Sequence, residues 1–232
     1  MVESIRSELA SLADKTRAVQ VAKFFQTGPG QYAEGDLFWG ISNPAVRQVA
    51  RRWEHLALDE VENLLRDPVH ECRFAALLIW VRQYPKAPKA MQQAIFDSYF
   101  SHLDYINNWD LVDLSARDIV GRHLFDKDRS ALYGLARRRH LWAQRVALIA
   151  TFYFIRKNQF ADFLALAELL LPHEHHLIHK AIGWMLRETG KRDLDVMEEF
   201  LHRHIQRIPR TSLRYAIEHL PPFRRQYYLS LH

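Results

Sequence analysis

The segment Ile106-Asn107-Asn108-Trp109-Asp110-Leu111-Val112-Asp113 sets a tryptophan and a carboxylate four residues apart, which places Trp109 and Asp113 on one face of a helix. An aromatic face beside a negative charge can hold a cation. Leu141-Trp142-Ala143-Gln144-Arg145 and Lys180-Ala181-Ile182-Gly183-Trp184-Met185-Leu186-Arg187-Glu188 again combine tryptophan with cationic residues at helical spacing, and three such faces would line a basic, aromatic groove. For any single tryptophan the competing reading is a core position. Trp142, flanked by Leu141 and Val146, is assigned to the core. Trp109 with Asp113, and Trp184 with Lys180 and Arg187, carry charge on a face that would be apolar if it were simply buried. Asp110 reads as a local cap or local partner at its helix start. Asp113, deeper in the helix, either pairs with a cation such as Arg145 or serves chemistry, and the two roles are compatible.

The elements that must carry these residues read as helices throughout. Apolar residues recur three and four apart over 2–25, 43–55, 59–66, 71–83, 89–100, 109–124, 141–156, 159–170, 176–189 and 193–207, and no stretch alternates as a strand would. Ser42-Asn43-Pro44 and Asp67-Pro68 mark helix starts, and Gly190 a stop. The longest loop expected is 28–36; its Gly28-Pro29-Gly30 follows no strand and is a turn, not a phosphate cradle. Arg73, Asp113, Arg145, Lys180 and Arg214 each open a run of small and apolar residues, at separations of 40, 32, 35 and 34 residues. That period is the mark of stacked helical hairpins, in which one helix of each repeat faces a common surface. The expected architecture is therefore all-α: a single domain over 1–232, a superhelical array of antiparallel HEAT-like hairpins whose aligned polar residues point into a basic concave face. Asp113 would be the one carboxylate in that row, and a groove meant only for phosphates gains nothing from it.

Composition narrows the classes further. With 48% apolar and 25% charged residues this is a folded chain, and no apolar run approaches the roughly 20 residues of a membrane span. The first residues show no secretory pattern, so a cytoplasmic protein is expected. The single cysteine, Cys72, precludes an internal disulfide or a paired-cysteine zinc site, and reads as a small buried hydrophobe. Lys plus Arg number 32 against 27 for Asp plus Glu, and the pI is about 9.4, which together with arginine beside aromatic residues favours a nucleic-acid partner. His173, His175, His176 and His179 lack the spacing of the helical zinc-protease motif, so no metal is expected; no Gly-x-Ser-x-Gly elbow exists.

Asn-Trp-Asp-Leu-Val-Asp at 108–113, Leu-Trp-Ala-Gln-Arg at 141–145 and Lys-Ala-Ile-Gly-Trp-Met-Leu-Arg-Glu at 180–188 resemble, in kind, order and spacing, the AlkD-type DNA alkylation repair glycosylases, over about 22–227 of the chain. The resemblance implies a superhelix of HEAT-like repeats with a basic concave face for double-stranded DNA, and excision of positively charged alkylpurines of the 3-methyladenine and 7-methylguanine class without extrusion of the base into a pocket. It implies catalytic roles for Trp109, Asp113 and Arg145, with Trp184 a further aromatic of the cleft. Arg47 and Arg187 match positions that touch the DNA backbone. Lys180 and Arg214 join them as DNA-binding residues through the repeat alignment. Phe24 stands where the family has a tyrosine, keeping the ring and losing the hydroxyl, so the resemblance implies a substrate contact at that corner through the ring alone.

The implied chemistry is self-consistent. An alkylated purine is already cationic, so its glycosidic bond is weakened and no strong general acid is required; a carboxylate can then stabilise the sugar cation and orient water. Arg145 would hold a phosphate near the lesion. No lysine stands beside Asp113, which argues against a Schiff-base lyase step, so a monofunctional hydrolase is expected. No cofactor is expected, and the protein is expected to act as a monomer. Two rivals remain at this stage: a repeat protein that binds damaged or branched DNA without catalysis, and a protein-binding scaffold.

Overall fold

A computed structural model describes residues 2–232, and these are all-α, with no strand and a single isolated bridge between Leu37 and Val69. The helices gather into two compact units that divide between Ser115 and Ala116. The first unit contains α1 (Val2–Ala10), α2 (Lys15–Phe24), α3 (Asn43–Arg52), α4 (Leu58–Leu65), α5 (His70–Gln83), α6 (Lys89–Ser101) and α7 (Trp109–Ser115). Its centre is α5, in which every residue from His70 to Trp80 is buried, as a helix enclosed on all sides requires. Helices α3, α4 and α7 all pack against it. By contrast α2 buries none of its residues.

The second unit opens with a π-helical turn (Arg117–Gly121) and α8 (Arg122–Leu124). It continues through α9 (Ser130–Arg137), α10 (Leu141–Ala150), α11 (Phe152–Ile155), α12 (Ala161–Leu170), α13 (His176–Gly190), α14 (Leu194–His204), α15 (Arg210–Ala216) and α16 (Pro222–Ser230). Within each unit the repeat read from the sequence is visible in the packing. In the first, α5 of Arg73 lies on α7 of Asp113; in the second, α10 of Arg145, α13 of Lys180 and α15 of Arg214 pack in that order. The α13–α15 contact is close because Gly183 has no side chain: a Cβ there would lie 2.5 Å from both the Ser212 carbonyl oxygen and the Tyr215 Cβ.

Several expected boundaries are corrected. The helix expected over 2–25 is two helices, because Asp14 caps α2 by accepting the Arg17 amide at 3.0 Å and so starts a new element. The helix over 141–156 is divided at Thr151, whose hydroxyl donates to the Leu148 carbonyl at 2.6 Å. The one over 109–124 leaves α geometry after Ser115, where the Gly121 amide reaches the Ala116 carbonyl at 2.9 Å across an extra residue. Helices α9 and α16 were not anticipated, and the non-helical stretch after α2 runs on to Ser42, beyond the loop of 28–36. The expectation that every aligned polar residue faces an open groove fails for Arg73 and Arg145, both only 4% exposed. Cys72 is buried as expected, and burial pushes its thiol pKa up. Trp142, assigned to the core, is 6% exposed.

Because α13 and α15 meet backbone to backbone at Gly183, Gly183→Ala is expected to cost about 1–3 kcal/mol through overpacking, read as a lower urea midpoint at unchanged m-value.

Candidate functional site

Helix α7 is anchored on one side by Leu111, Val112 and Ser115, all fully buried. The Ser115 hydroxyl bonds the Leu111 carbonyl at 2.6 Å and the Tyr99 hydroxyl at 3.0 Å. Trp109 and Asp113 occupy its half-buried side. Burial pushes the Tyr99 pKa up, and the charge of Asp113 adds to the rise.

The start of α7 is tied into the first unit by a buried ionic network. Asp36 accepts from Arg73 at 2.7 Å, from the amides of Asn107 and Asn108 at 3.1 and 3.2 Å, and approaches His70 Nδ1 at 3.4 Å. The other ring nitrogen, His70 Nε2, lies 2.8 Å from Asp110. Asn108 also accepts the Trp109 backbone amide at 2.8 Å, and Asp110 accepts that of Leu111 at the same distance. Asp110 is thus the local cap read from the sequence and also the partner of a histidine 40 residues earlier. Burial opposes a charge on His70, but Asp110 and Asp36 outweigh it and push its pKa up to about 9. Burial likewise works against ionised Asp36, and His70 and Arg73 overcome it and hold the carboxyl below its ordinary value. Beside His70, Glu71 accepts the backbone amides of Trp39, Gly40 and Ile41 at 3.0, 2.7 and 3.1 Å, fixing the loop that carries Phe38.

Aromatic rings complete the site. Trp109 stacks on Phe25 at 5.3 Å, Phe25 on Phe38 at 5.1 Å, and Phe38 on His70 at 4.6 Å. Phe24 meets Trp109 edge-on at 6.2 Å and is 65% exposed. These rings border a cleft of about 520 Å³ that also takes in Arg17, Ile41, Phe74 and Asp110. Arg47 is exposed, its guanidinium 5.8 Å over the ring of Phe74, which lines the cleft. Trp109 and Phe24 thus fall together at the cleft, whereas Asp113, one turn further along α7, is not among the residues that line it. Asp36, His70, Glu71, Phe25 and Phe38 were missed by the sequence reading. The available signal was His70-Glu71-Cys72-Arg73, three ionisable residues opening a helix that is otherwise apolar to Trp80.

In the second unit, Trp184 is half-buried and meets Phe152 edge-on at 5.8 Å; Arg117 sits 5.5 Å over the other partner of that pair, Phe152. Arg145 donates to the Leu177 carbonyl. Arg187 pairs with Glu218, Lys180 is half-buried and Arg214 exposed. The four histidines are engaged within the unit: His173 Nε2 lies 2.9 Å from Gln144, His175 caps α13 at the Leu177 amide and stacks on His176 at 4.7 Å, and His179 bonds the His173 carbonyl. Burial, with cationic neighbours, holds His175 down at about 4. Among the described residues no three His, Cys, Asp or Glu side chains converge as a metal site. None of the described helices is long and apolar enough to cross a membrane.

Fold and site together describe a helical-repeat protein presenting aromatic rings beside carboxylates. The family model for DNA alkylation repair enzymes matches residues 5–220, and the chain belongs to that family. Among solved structures, a protein described as a predicted DNA alkylation repair enzyme from Enterococcus faecalis superposes with a TM-score of 0.71 at 16% identity, covering 90% of this chain and 97% of that one. No curated protein matches the chain.

His70 titrates higher in the folded state than its ordinary 6.5, so its contribution to stability is complete below pH 6.5 and is lost as pH rises through about 9. The urea midpoint is therefore expected to fall between pH 7 and 10 in the native chain, with a shallower fall in His70→Gln.

Proposed function

We propose that this DNA alkylation repair protein is a monofunctional glycosylase that hydrolyses the N-glycosidic bond of positively charged alkylpurines, the 3-methyladenine and 7-methylguanine class, in double-stranded DNA. The observation that carries the reading is Trp109. Its ring is backed by Phe25 and left half-buried at the start of the helix that carries Asp113 one turn later. A cationic nucleotide against such a ring gains about 0.5–2 kcal/mol when water is excluded. Asp113 then stabilises positive charge as it develops on the sugar and orients the attacking water, a role for which a carboxylate suffices because the leaving base already carries its charge. Only interaction that grows toward the transition state accelerates the bond cleavage, and charge on the sugar does grow.

The remaining assignments follow the same chemistry. Phe24, exposed at the cleft mouth beside Trp109, contacts the lesion through its ring alone. Trp184 offers a second aromatic surface. Arg145 is assigned a phosphate on the strength of the family resemblance alone; buried on the Leu177 carbonyl, it would have to exchange that partner to meet one. Arg47 and Arg214 are exposed and free to meet phosphates, and Lys180 is half-exposed; Arg187 would exchange Glu218 for a phosphate on binding. The base is cleaved without being drawn into a pocket, and the protein acts alone, without metal or cofactor.

Incubation with methylated duplex DNA and chromatography of the released bases tests the reading. Native protein is expected to release free methylpurines. Asp113→Asn is expected to lower single-turnover release by about 10²–10³-fold while duplex affinity stays near native. Release by Asp113→Asn at the native rate would sink the mechanism, and salt-dependent binding without any release would leave a non-catalytic DNA-binding protein. Neutralising Arg47 or Arg214 should weaken binding to all sequences alike and reduce the salt slope by about 1 each.

A further inference from the structure

We propose that His70 is a positioning residue for the site on α7: its imidazolium, held by Asp36 on one side and Asp110 on the other, fixes the first turn of α7 and the pose of Trp109, so that the site is set at neutral pH and loosens in alkali. The catalytic arm of the test rests on the function proposed above; the structural arm does not.

The argument begins with hydrogen-bond stoichiometry. Both ring nitrogens face carboxylate oxygens, Nε2 at 2.8 Å from Asp110 and Nδ1 at 3.4 Å from Asp36. A neutral imidazole has one N–H and one lone pair, so it can donate to only one of the two and must turn its lone pair on the other. Only the protonated ring satisfies both. The charges agree: His70 and Arg73 balance Asp36 and Asp110, and loss of the proton leaves one carboxylate uncompensated in a buried place. Asp36 would keep Arg73, Asn107 and Asn108, whereas either choice of neutral ring breaks the link that runs from Asp36 through His70 to α7.

The other groups around the ring do not supply a substitute. Glu71, its neighbour on α5, is committed to three backbone amides. From α2, Arg17 lines the same cleft, and from α3, Arg47 sits over Phe74; both are cations, and neither is bonded to Asp36 or Asp110 in place of the ring. The remaining faces are aromatic. His70 stacks on Phe38 and lies 5.2 Å from Phe25, and Phe25 stacks on Trp109. A change at His70 therefore reaches Trp109 by two routes, through Asp110 along the backbone of α7 and through the Phe25 ring.

The experiment uses full-length protein labelled with 5-fluorotryptophan, the Trp109 resonance being assigned by its loss in Trp109→Phe. In the native sequence the Trp109 ¹⁹F line is expected to shift with a midpoint near pH 9, and in His70→Gln to stay flat over the same range. At pH 7.5, His70→Gln is expected to lower kcat for base release from methylated duplex DNA by about tenfold with little change in KM, as a misplaced catalytic helix would. A Trp109 line that is flat from pH 7 to 10.5 in the native chain, or that titrates equally in His70→Gln, overturns the proposal. The native titration decides it even if His70→Gln fails to fold. A line that titrates as expected with no base release at any pH would instead overturn the glycosylase reading and leave this one standing.

Discussion

The first unit depends on a largely buried cluster of two cations and two carboxylates that reaches the cleft only at Asp110 and His70. Isolated, any of Asp36, His70, Arg73 or Asp110 would be expensive to bury; together they satisfy one another, and removing one leaves a charge with nowhere to go. Such a cluster contributes little net stability compared with an apolar core of equal volume. Its value is directional. Hydrogen bonds to charged groups tolerate little displacement, so the loop at Asp36, the start of α5 and the start of α7 can meet in only one way. Hydrophobic contacts alone would let α7 slide by fractions of an ångström, enough to misplace a tryptophan relative to whatever it must face.

What sits on that foundation is a division of labour within one short helix. Leu111, Val112 and Ser115 secure α7, and Trp109 and Asp113 are left partly open. The aromatic series from His70 through Phe38 and Phe25 to Trp109 makes a continuous wall from the ionic cluster to the cleft mouth. An enzyme that recognises a cationic base would be served by such a wall, since a ring's face attracts positive charge without the desolvation cost of a buried carboxylate. The 16% identity to the Enterococcus faecalis structure shows how little of the sequence is needed to keep the fold.

The sequence disclosed most of the architecture and, of the residues lining the cleft, Trp109 and Phe24, for identifiable reasons. Helices were legible because apolar periodicity is local, and the repeat because Arg73, Asp113, Arg145, Lys180 and Arg214 recur at a near-constant interval. The division after α1 was signalled by Asp14 and overlooked; the one at Thr151 turns on a single side-chain hydrogen bond, which periodicity cannot register. That Trp109 and Asp113 share the partly open side of α7 was legible because their relation spans one helical turn. His70 and Asp36 were not, because their partners lie 34, 37, 40 and 72 residues away and only the fold brings them together. The same distance explains Arg73: read as a groove residue, it is a structural counter-ion.

Helix α2 buries nothing, although Phe24 at its end stands at the mouth of the cleft. Stability and recognition are therefore under separate control in this part of the chain. A substitution at the exposed positions of α2 disturbs little buried packing, so it is screened more by what it does to the ligand than by what it does to folding. An exposed ring such as that of Phe24, 65% exposed, is the kind of position that admits change freely. A lineage could thus explore new substrates along this helix while the ionic cluster beneath it stayed as it was.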